Sequence, residues 1–455
     1  MGSLFTSLLN STNSLQVYGR VFSVIENNIA NANTPGYARQ DQSLVSMPFH
    51  PAEGVEGGVM AGPLISARSR YLEQAVRNQQ ELLGSAQQKA GDLSQIEPLF
   101  DTSGKSGVPG ALTTFFNSFS QLSVNPNDPV SRQNAIDAAS HVAAAFNQNA
   151  TGIERVSNNL DTATRETIAN INHAAAEIAS INQHYRSNSA ATQDAGLDAR
   201  LHAALESLSQ VVDYTAIKAS DGSYSIYVGG QTPLVIGDHT FNIAGDFSGA
   251  QTVIRDVEGN DITSRLSGSG GTLGAMLEEK NTTLPGYLSA LNNVAQVFAD
   301  KVNTTLAQGV DRNGNPPAVN LFTYNAALGS ASTLAVTNIA PDQIAAASAN
   351  APGGNGNAIA ITQLAGRPSI NGFTFTQAYG NLGGQVGRDV LGAHQDLAAQ
   401  QDLVNQAQQQ RAQASGVSLD AEAAKLLQFQ QAYQAVGKLV SVLNSLTDTV
   451  INIVR

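Results

Sequence analysis

Apolar side chains at the two ends of the chain recur in alternating steps of four and three. Near the start, Leu4, Leu8, Ser11, Leu15, Tyr18, Phe22, Ile25 and Ile29 follow this rule without a break. Near the end, Leu426, Phe429, Tyr433, Val436, Val440, Leu443, Thr447, Val450 and Val454 do the same. Such a seam predicts amphipathic helices of coiled-coil type. Each would be roughly 30 residues and ~45 Å long at 1.5 Å per residue. Leu284, Leu288, Leu291, Ala295, Phe298 and Val302 predict a third striped helix, and Ile171, Ile178, Ile181 and Tyr185 mark one face of a fourth.

The breaks between stripes divide the chain. Pro35 ends the first helix, because the residue before a proline is pushed out of the helical region. Pro35 and Gly36 fit the central positions of a type II turn, and Asn31 and Asn33 tolerate the helix exit. Residues 37–70, with glycine breaks in "EGVEGGVMAGP", read as a hairpin or irregular β segment. Helix resumes near Tyr71. From Tyr214 the period changes: "YTAIKASDGSYSIYVGG" sets Asp221-Gly222 between β-rich runs, a hairpin signal. Residues 309–375 read as loop with a few helical turns. Gly416 interrupts a Gln-rich helix, and Ser418 can cap the next one, with Asp420 and Glu422 in its first turn where the dipole favours them.

These readings give a mainly α fold with a small inserted β domain, long terminal helices pairing as a coiled coil, and nested domains. The expected parts are 1–60 with 400–455 as a terminal helical domain with a hairpin-like linker, 61–205 with 271–399 as a helical middle domain, and 206–270 as the β insertion. An isolated terminal pair is marginal. Repeated among neighbours, each buried Leu or Phe would contribute ~1.5–3 kcal/mol.

Composition changes the picture in three ways. Charged residues are 13% of 455, about half the ordinary share, and Asn, Gln, Ser, Thr and Ala take their place. A polar, weakly charged surface suits self-association. The net charge of -12 and the lack of a basic run exclude nucleic acid as an expected partner. No stretch has the ~18 apolar residues of a membrane span. The first twenty residues lack both an early positive charge and a continuous apolar core, so no cleavable signal peptide is expected.

Catalytic and metal motifs do not emerge. No cysteine is present, which excludes disulfides and thiolate zinc sites. His173 and Glu177 share a helix face, but two ligands do not make a metal site. Asp311, Asn313 and Asn315 imitate a calcium loop, yet Pro316 stands where its glycine belongs. "SGSGG" lacks the third glycine of a dinucleotide fingerprint, and neither GxSxG nor a P-loop occurs. No enzymatic activity and no cofactor are expected.

Asn27 and Asn28 exceed what the turn needs locally, and here a resemblance enters. "NNIANANTPGYARQ" resembles the N-terminal signature of the bacterial flagellar rod, hook and hook-associated proteins, with Asn27, Asn28, Asn31, Asn33, Pro35, Gly36 and Tyr37 matching directly. "LSVNPNDPVSRQNAI", "GGTLGAMLEEKNTTLPGYLSALNNVAQVFADKVN", "QGVDRNGNPPAVNLF" and the C-terminal "GVSLDAEAAKLLQFQQAYQAVGKLVSVLNSLTDTVINIVR" look like the hook-associated members of that family. Two departures stand out. Glu278 is followed by Glu279-Lys280 where the family often has Phe-Arg, and the β insertion is smaller than in many members.

The resemblance implies a structural flagellar protein, exported without a cleavable signal peptide and self-assembling at the junction between hook and filament. A chain without cysteine carries no cross-link to hinder passage through a narrow channel. Implied partners are further copies of the chain, hook protein, hook-associated protein 3 and a cytosolic export chaperone at the C-terminal helix. Leu8, Leu15, Phe22, Ile25 and Ile29 are expected to pack with Leu426, Phe429, Tyr433, Val440 and Leu443, with Asn28, Asn31, Pro35, Gly36 and Tyr37 forming the signature turn. The alternatives are a hook or distal rod subunit, and a secreted wall-degrading enzyme with an assembly anchor.

Overall fold

The computed structural model describes residues 2–50 and 55–454. Met1, Arg455 and residues 51–54, part of the expected terminal domain and its linker, lie outside the described residues. Helix α1 (Gly2–Ala30) leads into strands β1 (Gln40–Ser46), β2 (Phe49–His50), β3 (Val55–Glu56) and β4 (Val59–Ser66). β1 pairs antiparallel with β4 and β2 with β3, so this segment is a long hairpin with a register shift between Gln42 and Leu44.

Helices α2 (Arg70–Ile96), α3 (Gly107–Val124), α4 (Pro129–Ser187) and α5 (Ala195–Val211) follow. Then come the antiparallel meander β5 (Tyr214–Lys218), β6 (Tyr224–Val228), β7 (Thr232–Ile236) and β8 (His239–Thr240), and the ribbon β9 (Ala244–Asp246) with β10 (Val253–Arg255). Next are α6 (Thr263–Leu266), α7 (Gly271–Glu278) and α8 (Leu284–Ala307), the last two joined by a π-helical turn, Glu279–Thr283. β11 (Gly309–Val310), β12 (Phe322–Thr323), β13 (Ala335–Val336) and β14 (Ala347–Ser348) form two small antiparallel pairs, β11 with β14 and β12 with β13. α9 (Gly356–Gln363), α10 (Phe375–Ser415) and α11 (Leu419–Val454) complete the chain.

The chain folds into two compact units that interleave in sequence. Unit 1 comprises residues 1–83, 170–242 and 400–455; unit 2 comprises 84–169 and 243–399. The β-rich stretch 206–270 is shared between them: the meander belongs to unit 1 and the β9–β10 ribbon to unit 2. Side chains explain the split. In unit 1, the amide of buried Asn182 brackets the backbone of Tyr224, donating to its carbonyl at 2.7 Å and accepting from its N–H at 2.8 Å. In unit 2, Thr252 beside the ribbon bonds Asp161 of α4 at 2.7 Å, and Arg165 lies 4.1 Å from the Phe247 ring centre.

Unit 2 has a continuous apolar core. Phe115 lies 5.0 Å from Phe119 and 5.3 Å from Phe298 between ring centres, and Phe298 lies 5.4 Å from Phe375. Asp128 caps α4 by accepting from Ser131 N at 2.9 Å, with Pro129 at the first helical position. Buried Arg132 donates to the carbonyls of Pro126 at 2.7 Å and Ile344 at 2.8 Å, tying two loops to α4. Gly152 lies within an unbroken α4, where a Cβ would stand 2.6 Å from a methyl of Leu99. Among the described residues no helix is long and apolar enough to cross a membrane.

Candidate functional site

The signature turn forms as its residues dictate. Tyr37 N donates to Thr34 O at 3.1 Å, and Gly36 takes the left-handed φ of 72° that a type II turn requires. A side chain at Gly36 is excluded twice, since a Cβ would also lie 2.2 Å from Ala199 O on α5. Asn31 donates to Asn27 O at 2.9 Å and Thr34 Oγ1 donates to Asn31 Oδ1 at 3.0 Å, so the asparagines satisfy the helix exit.

Behind the turn lies a buried ionic network. Arg68 donates to Gly36 O at 2.6 Å and meets Glu73 at 2.7 Å and Asp198 at 2.8 Å. Arg411 meets Glu73 at 3.3 Å and Glu206 at 2.6 Å. This network joins all three segments of unit 1. His202 sits 4.0 Å from Glu73 and 3.7 Å from Asp198. The ring stays neutral, because burial first, and then Arg68, Arg77, Lys218 and Arg411, push its pKa down to about 2.

Asn28 accounts for the asparagine the turn did not need. Its side chain is 0% exposed. The amide donates to Gln40 O at 2.8 Å and to Glu422 Oε2 at 3.0 Å. Its carbonyl accepts from Gln40 N at 2.9 Å and from Tyr37 OH at 2.8 Å. Burial first, then the charge of Glu422, raise the Tyr37 phenol to about 12, so it remains a donor. Glu422, also 0% exposed, lies in the first turn of α11. Lys425 Nζ stands 3.6 Å from Glu422 Oε1 and bonds Asp41 at 2.7 Å. Arg39 N donates to Ser415 O at 2.9 Å. One asparagine therefore clasps the end of α1, the start of β1 and the start of α11.

The terminal helices lie side by side. Phe22 and Tyr433 approach to 5.8 Å between ring centres, as do Tyr18 and Phe429. Ile25 and Leu443 are buried; Leu8, Leu15, Phe22, Leu426, Phe429 and Val440 are half-buried; Ile29 and Tyr433 remain exposed. Asn31, Gly36 and Tyr37 are half-buried and Pro35 is exposed.

The seam is not the only packed face of α1. Val17 and Val21, which lie off it, are buried. They share a helix face with Asn10, which donates to Gly57 O at 2.8 Å, and with Asn28. α1 is thus covered by the hairpin on one side and α11 on another. Val17, Val21, Gln40, Glu422 and Arg68 complete a site that the seam alone did not define. The acidic first turn of α11 was the sequence signal for Glu422.

Much apolar surface is left over. Leu427 is 60% and Val442 56% exposed, and Leu439, Val442 and Leu446 form a second row beside the α11 seam. Phe5, Leu9, Phe49 and Met60 are exposed as well. A cleft of about 940 Å³ opens where Asn27, Asn31, Pro35 and Tyr37 face His173 and Arg200. Glu177, also lining it, accepts from Arg200 at 3.3 Å. Asp311 turns its carboxylate on its own loop, accepting from Asn313 N and Asn315 N at 2.8 Å each. Among the described residues no three acidic or His side chains converge as a metal site.

Comparison with known proteins places this geometry. The model for the flagellar hook-associated protein FlgK helical domain matches residues 93–322, half of the chain. The model for the flagellar basal body rod FlgEFG protein C-terminal region matches residues 408–453. Flagellar hook-associated protein 1 of Bacillus subtilis is 26% identical over 501 aligned positions that cover 99% of each chain. The Escherichia coli protein of the same name is 24% identical over 100% of each. The structure of the flagellar hook junction protein FlgK from Burkholderia pseudomallei matches in fold with a TM-score of 0.68, at 16% identity, covering 76% of this chain and 100% of that one. With half of its length matched by the family's own model and its full length aligned to relatives, the chain belongs to the FlgK family of flagellar hook-associated proteins.

Proposed function

We propose that this chain is a structural subunit of the junction between the flagellar hook and the filament, and that it assembles with further copies of itself through α1 and α11. Family membership carries the reading. The exposed apolar rows on both terminal helices support the mode of assembly, since such surface is stable only when covered. The interface residues proposed are Leu8, Leu15, Phe22, Ile25 and Ile29 on α1 and Leu426, Phe429, Tyr433, Val440 and Leu443 on α11. The clasp at Asn28 and the turn Asn31, Pro35, Gly36 and Tyr37 hold the two helices in register.

The role is structural, with no catalytic step. Hook protein and hook-associated protein 3 are the proposed neighbours on either side of the junction. Export proceeds without a cleavable signal peptide, and a cytosolic chaperone covers the α11 stripe until then, as a helix in a groove. The terminal parts, 1–60 with 400–455, serve as the inner assembly domain.

Deletion of the gene tests the function. Hooks without filaments, with flagellin monomers in the medium, are expected. Cells without hooks would make the chain a rod or hook subunit instead. Phe22→Asp or Leu443→Asp tests the surface: assembly is lost while residues 71–395 keep their fold. Normal incorporation of either variant would remove the terminal pair from the mechanism.

A further inference from the structure

Unit 2 carries a cleft of about 250 Å³ to which neither terminal helix contributes. Its walls come from α8, α10 and the tight turn that precedes α10. No ionisable side chain lines it. Buried Val294, Leu382 and Ile370 give it an apolar base. Asn293 of α8, Asn371 of the turn, and Asn381 and Gln385 of α10 add four exposed amides. Among the described residues, none of these amides bonds another group of the protein.

The turn sets an aromatic ring at the same place. Phe373 N donates to Ile370 O at 2.9 Å and Ile370 N to Phe373 O at 3.1 Å, closing a two-residue loop. Asn371 and Gly372 occupy that loop at φ of 50° and 84°, the left-handed pair of a type I′ turn, which Asn-Gly adopts at least cost. Among the described residues Asn371 is the one non-glycine residue with positive φ. A loop so short and so well suited to its turn holds Phe373 in a fixed position. The Phe373 ring is 45% exposed and lines the cleft, whereas Phe375 is buried in the aromatic core.

This lining selects a chemical class. An ionised ligand would give up hydration and find no charge to pair with. An amide carries donors and an acceptor together, as a hydroxyl does, so four free amides suit a ligand dense in hydroxyls. The open ring and the aliphatic base suit the C–H face that such a ligand also presents. A helix is too large to seat: one turn, about 5.4 Å in pitch and about 10–12 Å across, takes roughly 400–600 Å³, more than the cleft holds. We propose that the cleft binds a neutral saccharide, with one pyranose unit stacked on Phe373 and its hydroxyls taken by Asn293, Asn371, Asn381 and Gln385. This binding is independent of the assembly role of α1 and α11.

Isothermal titration calorimetry of the full chain with maltotriose and with tri-N-acetylchitotriose tests the proposal. The first sugar carries hydroxyls alone and the second carries acetamido groups as well, so the pair separates two kinds of glycan. At least one should bind with a Kd of about 1 mM or tighter. Phe373→Ala should weaken that binding about tenfold, the effect of losing a stacking face. Asn381→Leu, which keeps the bulk and removes the amide, should weaken it too. Both positions are exposed, so both variants should unfold at the temperature of the natural chain. Failure of both sugars to bind the natural chain would overturn the proposal, and so would binding that survives unchanged in both variants. A Phe373→Ala chain that loses self-association in sedimentation, with sugar binding intact, would make the cleft a contact between copies and overturn the proposal as well.

Discussion

The stripe on α8 and the stripes on α1 and α11 are written with the same steps of three and four, yet they end in different environments. Phe298, Leu291 and Val302 on α8 are fully buried in the aromatic core of unit 2. Among the described residues of α11, the buried ones are Leu443 and Glu422, and the rest of its apolar surface stays half-covered or exposed. Periodicity tells which face a helix can bury. The number of elements available to cover that face decides how much it does bury. α8 meets α9, β12 and the π turn, whereas α11 has chiefly α1 as its neighbour.

The comparison is broken most severely by emptying the better core. Phe298→Ala should destabilise unit 2 by about 3–5 kcal/mol, because its fully buried ring packs against Phe115, Phe116, Phe322 and Phe375 and its removal leaves a cavity. Calorimetry or denaturant unfolding checks this, with the unit 2 transition falling while unit 1 holds.

Asn28→Ala comes next, at about 2–3 kcal/mol in unit 1. It strands Gln40 N and leaves Glu422 buried without its amide donor. Faster hydrogen exchange in the first turns of α11, with unit 2 unchanged, is the expected readout. An unchanged α11 would mean that the clasp does not hold the helix.

A pH series sharpens the contrast. His202 is neutral in the folded chain down to about 2 but takes up a proton near 6.5 when unfolded. The unfolded chain then binds more protons below 6.5, so this group removes stability as pH falls, by about 1.4 kcal/mol per unit. Glu81 acts oppositely in the same unit: burial first, then Asp213, raise it to about 7. Comparison with His202→Gln isolates the histidine, and the variant should lose less stability on acidification than the natural chain.

Phe429→Ala is the mildest of these changes in the single chain. It costs about 1 kcal/mol, since the Tyr18–Phe429 contact is half-solvated. Its effect on assembly should be much larger than on unfolding. Equal effects on both would mean that the terminal pair matters for the monomer alone.

The helices, the signature turn and the family were legible in the sequence because each is encoded locally. Stripe spacing sets the α1, α8 and α11 faces. Pro35 with Gly36 sets the turn, and Asp221 with Gly222 sets the bend between β5 and β6. These depend on backbone sterics and on side chains a few residues apart. The hairpin face of α1 was not legible, because Val17 and Val21 are apolar positions off the seam whose cover lies in strands of alternating but weak pattern. The shared custody of residues 206–270 was equally hidden. It rests on Asn182 reaching Tyr224 and on Asp161 reaching Thr252, contacts across long stretches of chain.

The amino-acid sequence by itself determined which faces of α1, α8 and α11 can be buried, where the chain turns at Pro35-Gly36, and which family the chain resembles. Only the tertiary structure decided what the buried polar groups are for. Asn28, Glu422, Arg68 and His202 carry no periodic signal, and their roles come from partners brought within about 3–4 Å by folding. Within that range a hydrogen bond or a charge acts, and beyond it water screens the interaction.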